Sequence, residues 1–374
     1  FEALTLLIKK NIKRIGVTNS KGEMIGILEQ INILSHFANH TYVVDSKIKK
    51  AKNINDLKFA SKDLLNIIKS LQAKGVKVNH ISNLIGQLNI KVYLKLYNLV
   101  LPTELQKGAC LIVMGSEGRN EQIIKTDQDN ALVVKDGIDV EQYRQYMNDI
   151  TNHLIDFGYP RCEGNIMVSN PFWCKTVSEY KSETARWIQA PDMQNYMDLA
   201  IFFDSFAVAG DKDLLINLKD DLFNKLHDKD VFMAYFAKAT LTFDTPNTIA
   251  NFMTKSHNID IKKAAVFPIV QGIRSLALRE KIRETTTVKR SKKLEEKKVL
   301  EKSKAAELLE AFDVVNTLRL KAQLDDIQDG KIINNEIDTH SLGKIERDLL
   351  KDSFKIVIEF KKFINYTFRI DKIS

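Results

Sequence analysis

Cysteine is scarce in this chain, and its scarcity rules out two kinds of scaffold. Cys110, Cys162 and Cys174 are odd in number and widely spaced, which supports neither a disulfide framework nor a zinc site; a reducing compartment fits best. His153, His227, His257 and His340 likewise show no metal-ligand spacing. Long apolar runs are missing: none approaches the roughly 20 residues that cross a bilayer, and no basic leader with a small-residue cleavage site opens the sequence. A soluble, cytoplasmic protein without a membrane segment is expected. The breakers are few, with six prolines and fifteen glycines in 374 residues, so the composition leans to helix. There is no tandem repeat and no low-complexity segment. The chain opens Phe-Glu-Ala-Leu without methionine and is read as a fragment of something longer.

What is present starts with charge. The net charge of +8 is spread along the chain and concentrated in "KIRETTTVKRSKKLEEKKVLEKSK" (281–304), which reads as a solvated helix face with i,i+4 pairing rather than a nucleic-acid patch. Residues 1–36 read as helix, strand, turn, strand, helix, with Gly22 in the turn. From about 46 to 106 the apolar spacing is helical, first through Leu57, Leu64, Ile68 and Leu71 and then through Ile81, Ile85, Leu88 and Val92. Pro102 breaks it before "ACLIVMGS", a buried strand. "ALVVK" is the next strand and "VEQYRQYMNDITNHLIDFG" a helix stopped at Gly158. Short β pieces are expected in "CEGNIMVSN" and "LAIFFDSFAVAG", and almost only helices from 211 onward. Trp173 and Trp187 read as core or nucleotide-flanking packing.

The chemistry concentrates in "MGSEGRNEQIIKTDQDNALVV" (114–134). Residues i and i+2 of a strand share a face, so Asp127 and Asp129 should project together. Two adjacent carboxylates repel unless a cation lies between them, and Mg²⁺ suits two carboxylates plus phosphate oxygens. Gly115 lets backbone approach a phosphate, and Ser116 and nearby N–H groups can donate to it. "EGRNEQII" reads as the start of a helix with Ser116 near its N-cap, and Arg119 as a charged fork for the same phosphates. The stretch is not a Walker P-loop, because no Gly-Lys-Ser/Thr closes it, and not an EF-hand.

The segment "GSEGRNEQIIKTDQDNALVV" resembles the signature of a nucleotidyltransferase family in the polymerase-β-like superfamily, found behind cyclic-nucleotide-binding and CBS domains in bacterial signalling proteins and related to nitrogen-signalling uridylyltransferases. "GYPRCEGNIMVSNPFW", "LAIFFDSFAVAGD", "IDIKKAAVFPIVQGIRSLALRE", "EAFDVVNTLRLKAQL" and "NNEID" resemble its later blocks, the last three its substrate-binding domain. "IKRIGVTNSKGEMIGILEQINIL" resembles the second half of a CBS domain. The resemblance implies an α+β fold with a mixed sheet: the C-terminal part of a CBS unit over 1–45, a helical lead-in over 46–106, a nucleotidyltransferase domain over 107–210 and an all-α bundle over 211–374. It implies that Gly115 and Ser116 cradle the triphosphate and that Asp127 and Asp129 hold Mg²⁺. Such enzymes use a third carboxylate, for which Asp204 and Glu163 are both candidates. Lys262, Arg274, Arg319 and Gln323, with Asn335, fall in the blocks expected to meet substrate.

The expected activity is Mg²⁺-dependent transfer of a nucleoside monophosphate from a nucleoside triphosphate to a hydroxyl on a protein or small molecule, of the protein-uridylyl or adenylyl kind. The alternatives are a nucleotide-binding sensor without turnover and a helical scaffold. A protein acceptor is an expected partner, nucleic acid is not, and a homodimer is compatible with the reading.

Overall fold

The computed structural model describes residues 14–29, 41–190, 192–246 and 258–373. The expected helices at "FEALTLLIKKN" and "INILSHF", and His257, lie outside them. The hairpin between those helices is present: β1 (Arg14–Thr18) pairs antiparallel with β2 (Met24–Glu29), and the Asn19 side chain accepts from the N–H groups of Lys21 and Glu23 across the turn.

Two long antiparallel helices follow. Asn53 caps the first, α1 (Ile54–Ala73), by accepting from the Asp56 N–H at 2.9 Å. Gly75, at φ +70, reverses the chain into α2 (Val78–Val100). Leu101 is extended before Pro102, as the ring of a following proline requires.

The central sheet runs β5-β4-β3-β6. Strand β3 (Ala109–Val113) lies antiparallel to β4 (Asn130–Val134) and to β6 (Phe206–Gly210), while β5 (Cys174–Thr176) is parallel to β4. All ten residues of β3 and β4 are buried, because both faces of the sheet are covered. Ala109, Leu111 and Val113 face a core shared with α1 and α2, and Cys110 and Ile112 face one continuous with the C-terminal helices. This two-sided burial reads as an unbroken apolar run.

Between the strands lie α3 (Arg144–Asp156), α4 (Val177–Gln189) and α5 (Met193–Phe203). A capping box between Thr176 and Glu179 starts α4, and Gly158, at φ +92, follows α3. "CEGNIMVSN" forms turns and irregular backbone rather than a strand; it is tied to β4 by the Val168 N–H donating to Asn130 Oδ1 at 2.8 Å. "LAIFFDSFAVAG" divides into the end of α5 and β6.

The C-terminal region holds α6 (Lys212–Lys225), α7 (Asp230–Lys238), α8 (Phe267–Arg279), α9 (Thr287–Glu296), α10 (Lys302–Gln328) and α11 (Lys344–Phe368). The helical reading covers it except for a short ribbon in which β7 (Asn258–Asp260) pairs antiparallel with β8 (Glu336–Asp338). A π-turn, Lys262–Val266, leads into α8. Pro268 has no N–H to offer the Ala264 carbonyl, and the Thr245 hydroxyl takes its place at 2.7 Å. The whole is an α+β molecule with one mixed sheet and a helical C-terminal region, as the sequence led one to expect.

Candidate functional site

At the end of β3 the chain makes a single helical turn, Gly115–Gly118, with Met114 at its N-cap position. It does not grow into the helix expected from "EGRNEQII". Gly115 and Asn120 both have positive φ (+54 and +60), and residues 119–129 are irregular. A four-residue turn has little dipole, so anion binding there falls to N–H groups and the Ser116 hydroxyl.

Both glycines are dictated by contact. A Cβ on Gly115 would lie 2.2 Å from Asp129 Oδ2, and one on Gly118 2.3 Å from the Asp204 carbonyl and 2.8 Å from that of Val113. The Gly-Ser turn is thus pressed against the acidic pair on one side and the end of α5 on the other.

Asp127 and Asp129 directly precede β4, anchored by the Met114 N–H donating to the Asp129 carbonyl at 2.8 Å. Gln122 holds Asp127, its Nε2 donating to Oδ1 at 2.8 Å and to the carbonyl at 3.0 Å. Asp129 receives the Cys162 thiol, while its Oδ1 is buried without a hydrogen-bond partner. Burial first, and the charge of Asp127 second, push the Asp129 carboxyl up to about 7. A third acid, Glu117, stands behind them. It is buried, accepts from Tyr93 Oη at 2.7 Å and leaves its other oxygen unpartnered. Burial, reinforced by Asp127 and Asp129, raises it to about 8. Sequence reasoning passed over Glu117; an acid between two glycines of the motif was the available signal.

Basic groups face this acidic site from the C-terminal region. The charge of Lys262, beside that of Arg119 in the motif itself, is felt at Asp129, and that of Asp127 at Arg319. Arg319 is half-buried on α10, with Nε donating to Asn335 Oδ1 at 2.7 Å. A narrow cleft of about 20 Å³ runs between the motif and α10, lined by Ser116, Glu121, Gln122, Asn316, Arg319 and Gln323 among others. Four of the residues expected at substrate (Lys262, Arg319, Gln323 and Asn335) are therefore brought to the motif or its cleft.

Three expectations are corrected. Asp204 is fully buried, and both its oxygens are taken: Oδ1 by Arg290 Nη1 at 2.6 Å, and Oδ2 by Arg119 Nη1 at 2.7 Å and Arg274 Nη2 at 2.5 Å. Burial disfavours its charge, but Arg274, Arg290 and Arg119 outweigh burial and hold the carboxyl well below its ordinary range. Enclosed and engaged at both oxygens by guanidiniums, it is not open to a metal beside Asp127. Arg274 belongs to this buried cluster and not to the cleft. Arg119 commits Nη1 to Asp204 and Nε to Glu121 at 2.7 Å, so it braces the turn instead of offering an open fork. Glu121 in turn accepts the Thr287 N–H at 2.7 Å, joining the motif to the start of α9. The other candidate third acid, Glu163, is exposed in the turn after Cys162.

The donor chemistry suits a hard divalent cation. Two half-buried carboxylates, one with an orphaned oxygen, would supply the protein's share, and phosphate and water oxygens the rest. Among the described residues no group of three or more His, Cys, Asp or Glu side chains is placed to hold a metal ion.

Residues 62–194 match the profile of the family described as Putative nucleotidyltransferase DUF294. Residues 230–368 match that described as Putative nucleotidyltransferase substrate binding domain. The two profiles lie in order along one chain, and both describe parts of a nucleotidyltransferase. No curated protein matches the chain by sequence. Among the described residues, no helix is long and apolar enough to cross a membrane.

Proposed function

We propose that the chain transfers a nucleoside monophosphate from a nucleoside triphosphate to a hydroxyl on a protein or small-molecule acceptor, with Mg²⁺ held by Asp127 and Asp129. The observation that carries this reading is the seating of Asp129 on Gly115. It sets the acidic pair against the Gly-Ser turn, and it leaves a carboxylate oxygen without a partner at that junction.

In the reaction, the acceptor hydroxyl oxygen forms a bond to the α-phosphorus and gives up its proton to water, the bond to the bridging oxygen breaks, and pyrophosphate leaves. Bound Mg²⁺ would supply charge neutralisation for the phosphates. Ser116 and the backbone N–H groups of the turn bind and orient the phosphates, while Arg319 and Lys262 close the opposite wall of the site with positive charge. Gln122 fixes the Asp127 carboxylate, and Arg119 fixes the turn. The antiparallel hairpin β1–β2 is compatible with the tail of a CBS-type regulatory unit, which would place turnover under an upstream signal.

Incubating the protein with each labelled triphosphate, Mg²⁺ and cell lysate tests the reading. Transfer of label is expected, and its loss in Asp127→Asn with Asp129→Asn, at unchanged folding. Retained transfer in that variant refutes the assignment. One observation favours a second reading, a nucleotide sensor without turnover: Asp204 is locked by arginines and Glu163 lies exposed, so a third acid is missing from the expected positions. Saturable, Mg²⁺-linked nucleotide binding without transfer is the result that would select it.

A further inference from the structure

A second cavity, of about 240 Å³, lies on the far side of the motif loop. Its walls come from three parts of the molecule. Leu64, Leu65 and Ile68 of α1 and Ile85 of α2 form one side. Ile123, Ile124 and Lys125 of the loop form the second, and Ile327 of α10 with Ile333 beyond its end closes it. The lining is chiefly aliphatic, which favours an apolar ligand body. The volume equals about eight water molecules, room for roughly eight to ten non-hydrogen atoms.

The charge of the cavity is one-sided. Lys125 donates to three neutral oxygens, the Ser61 carbonyl at 3.0 Å, the Ser61 hydroxyl at 2.7 Å and the Phe157 carbonyl at 2.9 Å, and lies over the Tyr159 ring. Its donors are filled, yet no carboxylate among the described residues pairs with it. Lys62 is exposed at the lining, close enough for its charge to act on Lys125. The carboxylates near this end are Asp156, already paired with Lys58 at 2.6 Å, and Glu117, which faces Lys125 from the acidic site. Lys62 shares the field of Asp156 with Lys58, and burial lowers Lys125 to about 7 although Glu117 faces it; an anion in the aliphatic hollow would add a charge partner for both lysines.

We propose that this cavity binds a small apolar monoanion, of the class of medium-chain carboxylates, with its chain among the isoleucines and its head at Lys62, in the field of Lys125. The loop that walls the cavity leads within two residues to Asp127, so occupancy stiffens the segment that carries the acidic pair. The site is an effector site on the opposite face of that loop, and its existence does not depend on the transfer reaction.

Titration calorimetry with octanoate on the whole chain is the direct test, with 1-octanol as the uncharged probe. One saturable octanoate site is expected, with octanol weaker by about tenfold, the worth of one charge-assisted contact. Lys62→Gln should bring octanoate down toward octanol. Leu65→Trp should abolish binding by filling the cavity from α1, and Ile333→Trp should do so from the other wall should the first variant not fold. Hydrogen exchange of residues 121–129 should slow on saturation. Absence of a saturable site, equal binding of octanol, binding that survives both tryptophan variants, or exchange in 121–129 that ignores octanoate overturns the proposal.

Discussion

Two acidic centres lie at either end of the same Gly-Ser turn, and they are built on opposite plans. Asp204 is completely enclosed, and three guanidiniums meet its two oxygens. Asp129 is half-open, feels another aspartate more strongly than any other charge and keeps one oxygen without a partner. The same side chain is thereby held far below its ordinary range in one place and raised to about 7 in the other. The difference teaches how to separate a structural acid from a functional one. A carboxylate whose two oxygens are both answered by cations holds the fold together, and one left with an unanswered oxygen beside a like charge waits for a cation.

The comparison is tested hardest by removing the satisfied member. Asp204→Ala leaves Arg119, Arg274 and Arg290 crowded together without their common counter-ion, and breaking a buried ion network in this way costs about 3–5 kcal/mol. Urea denaturation should show that loss as a lower midpoint. An unchanged midpoint would mean that the arginines are stabilised by something else.

The unsatisfied member should behave the other way. Asp127→Asn combined with Asp129→Asn removes a repulsion, so the melting temperature should hold or rise. Nucleotide transfer, on the reading proposed above, should fall by about 10²–10³-fold, the usual worth of a group that stabilises transition-state charge. Loss of stability in step with loss of transfer would erase the distinction between the two centres.

Gly115→Ala probes the contact that joins turn and acid. A left-handed φ costs an L-residue about 1–2 kcal/mol, and the new methyl would meet Asp129 Oδ2, so Asp129 must move. Mg²⁺-linked binding of a triphosphate should weaken more than stability does, as calorimetry and a denaturation curve on one preparation would reveal.

How much of this was legible beforehand follows from range. Gly115, Ser116, Asp127 and Asp129 lie within fifteen residues, and their spacing already states a geometry: a turn after one strand, an i,i+2 pair before the next. The fold class was legible for a related reason, since β3 is apolar throughout, β4 is apolar after Asn130, and helices such as α1 and α11 carry clear stripes. Asp204, Arg274 and Arg290 come from α5, α8 and α9, and nothing in their local sequence says that they meet. An aspartate ending an apolar helix looks the same whether metal or arginine awaits it. Arg119 was misread for the same reason, because its partner Asp204 lies 85 residues away. Glu117 was hidden by Tyr93, a partner supplied from α2.

The smallest effect tells most about the empty oxygen. Between the ordinary carboxyl range near pH 4 and about 7, folded Asp129 keeps a proton that the unfolded chain has released, and Glu117 does so up to about 8. Through these two groups the native state binds more protons across this window, and their contribution to stability falls as pH rises from about 4 to about 8, whereas Lys125 and Lys219, lowered to about 7 by burial, act in the opposite direction above pH 7. Asp204 has the opposite sign: its contribution is present above the ordinary carboxyl range and is lost only in strong acid. A cation that needs the deprotonated pair should restore what the rise in pH takes away. Mg²⁺ with a triphosphate is then expected to raise the melting temperature by about 2 °C more at pH 8 than at pH 6, and the double asparagine variant should show no such difference. Equal Mg²⁺ gains at the two pH values would mean that the cation, if bound, is held somewhere other than at Asp129.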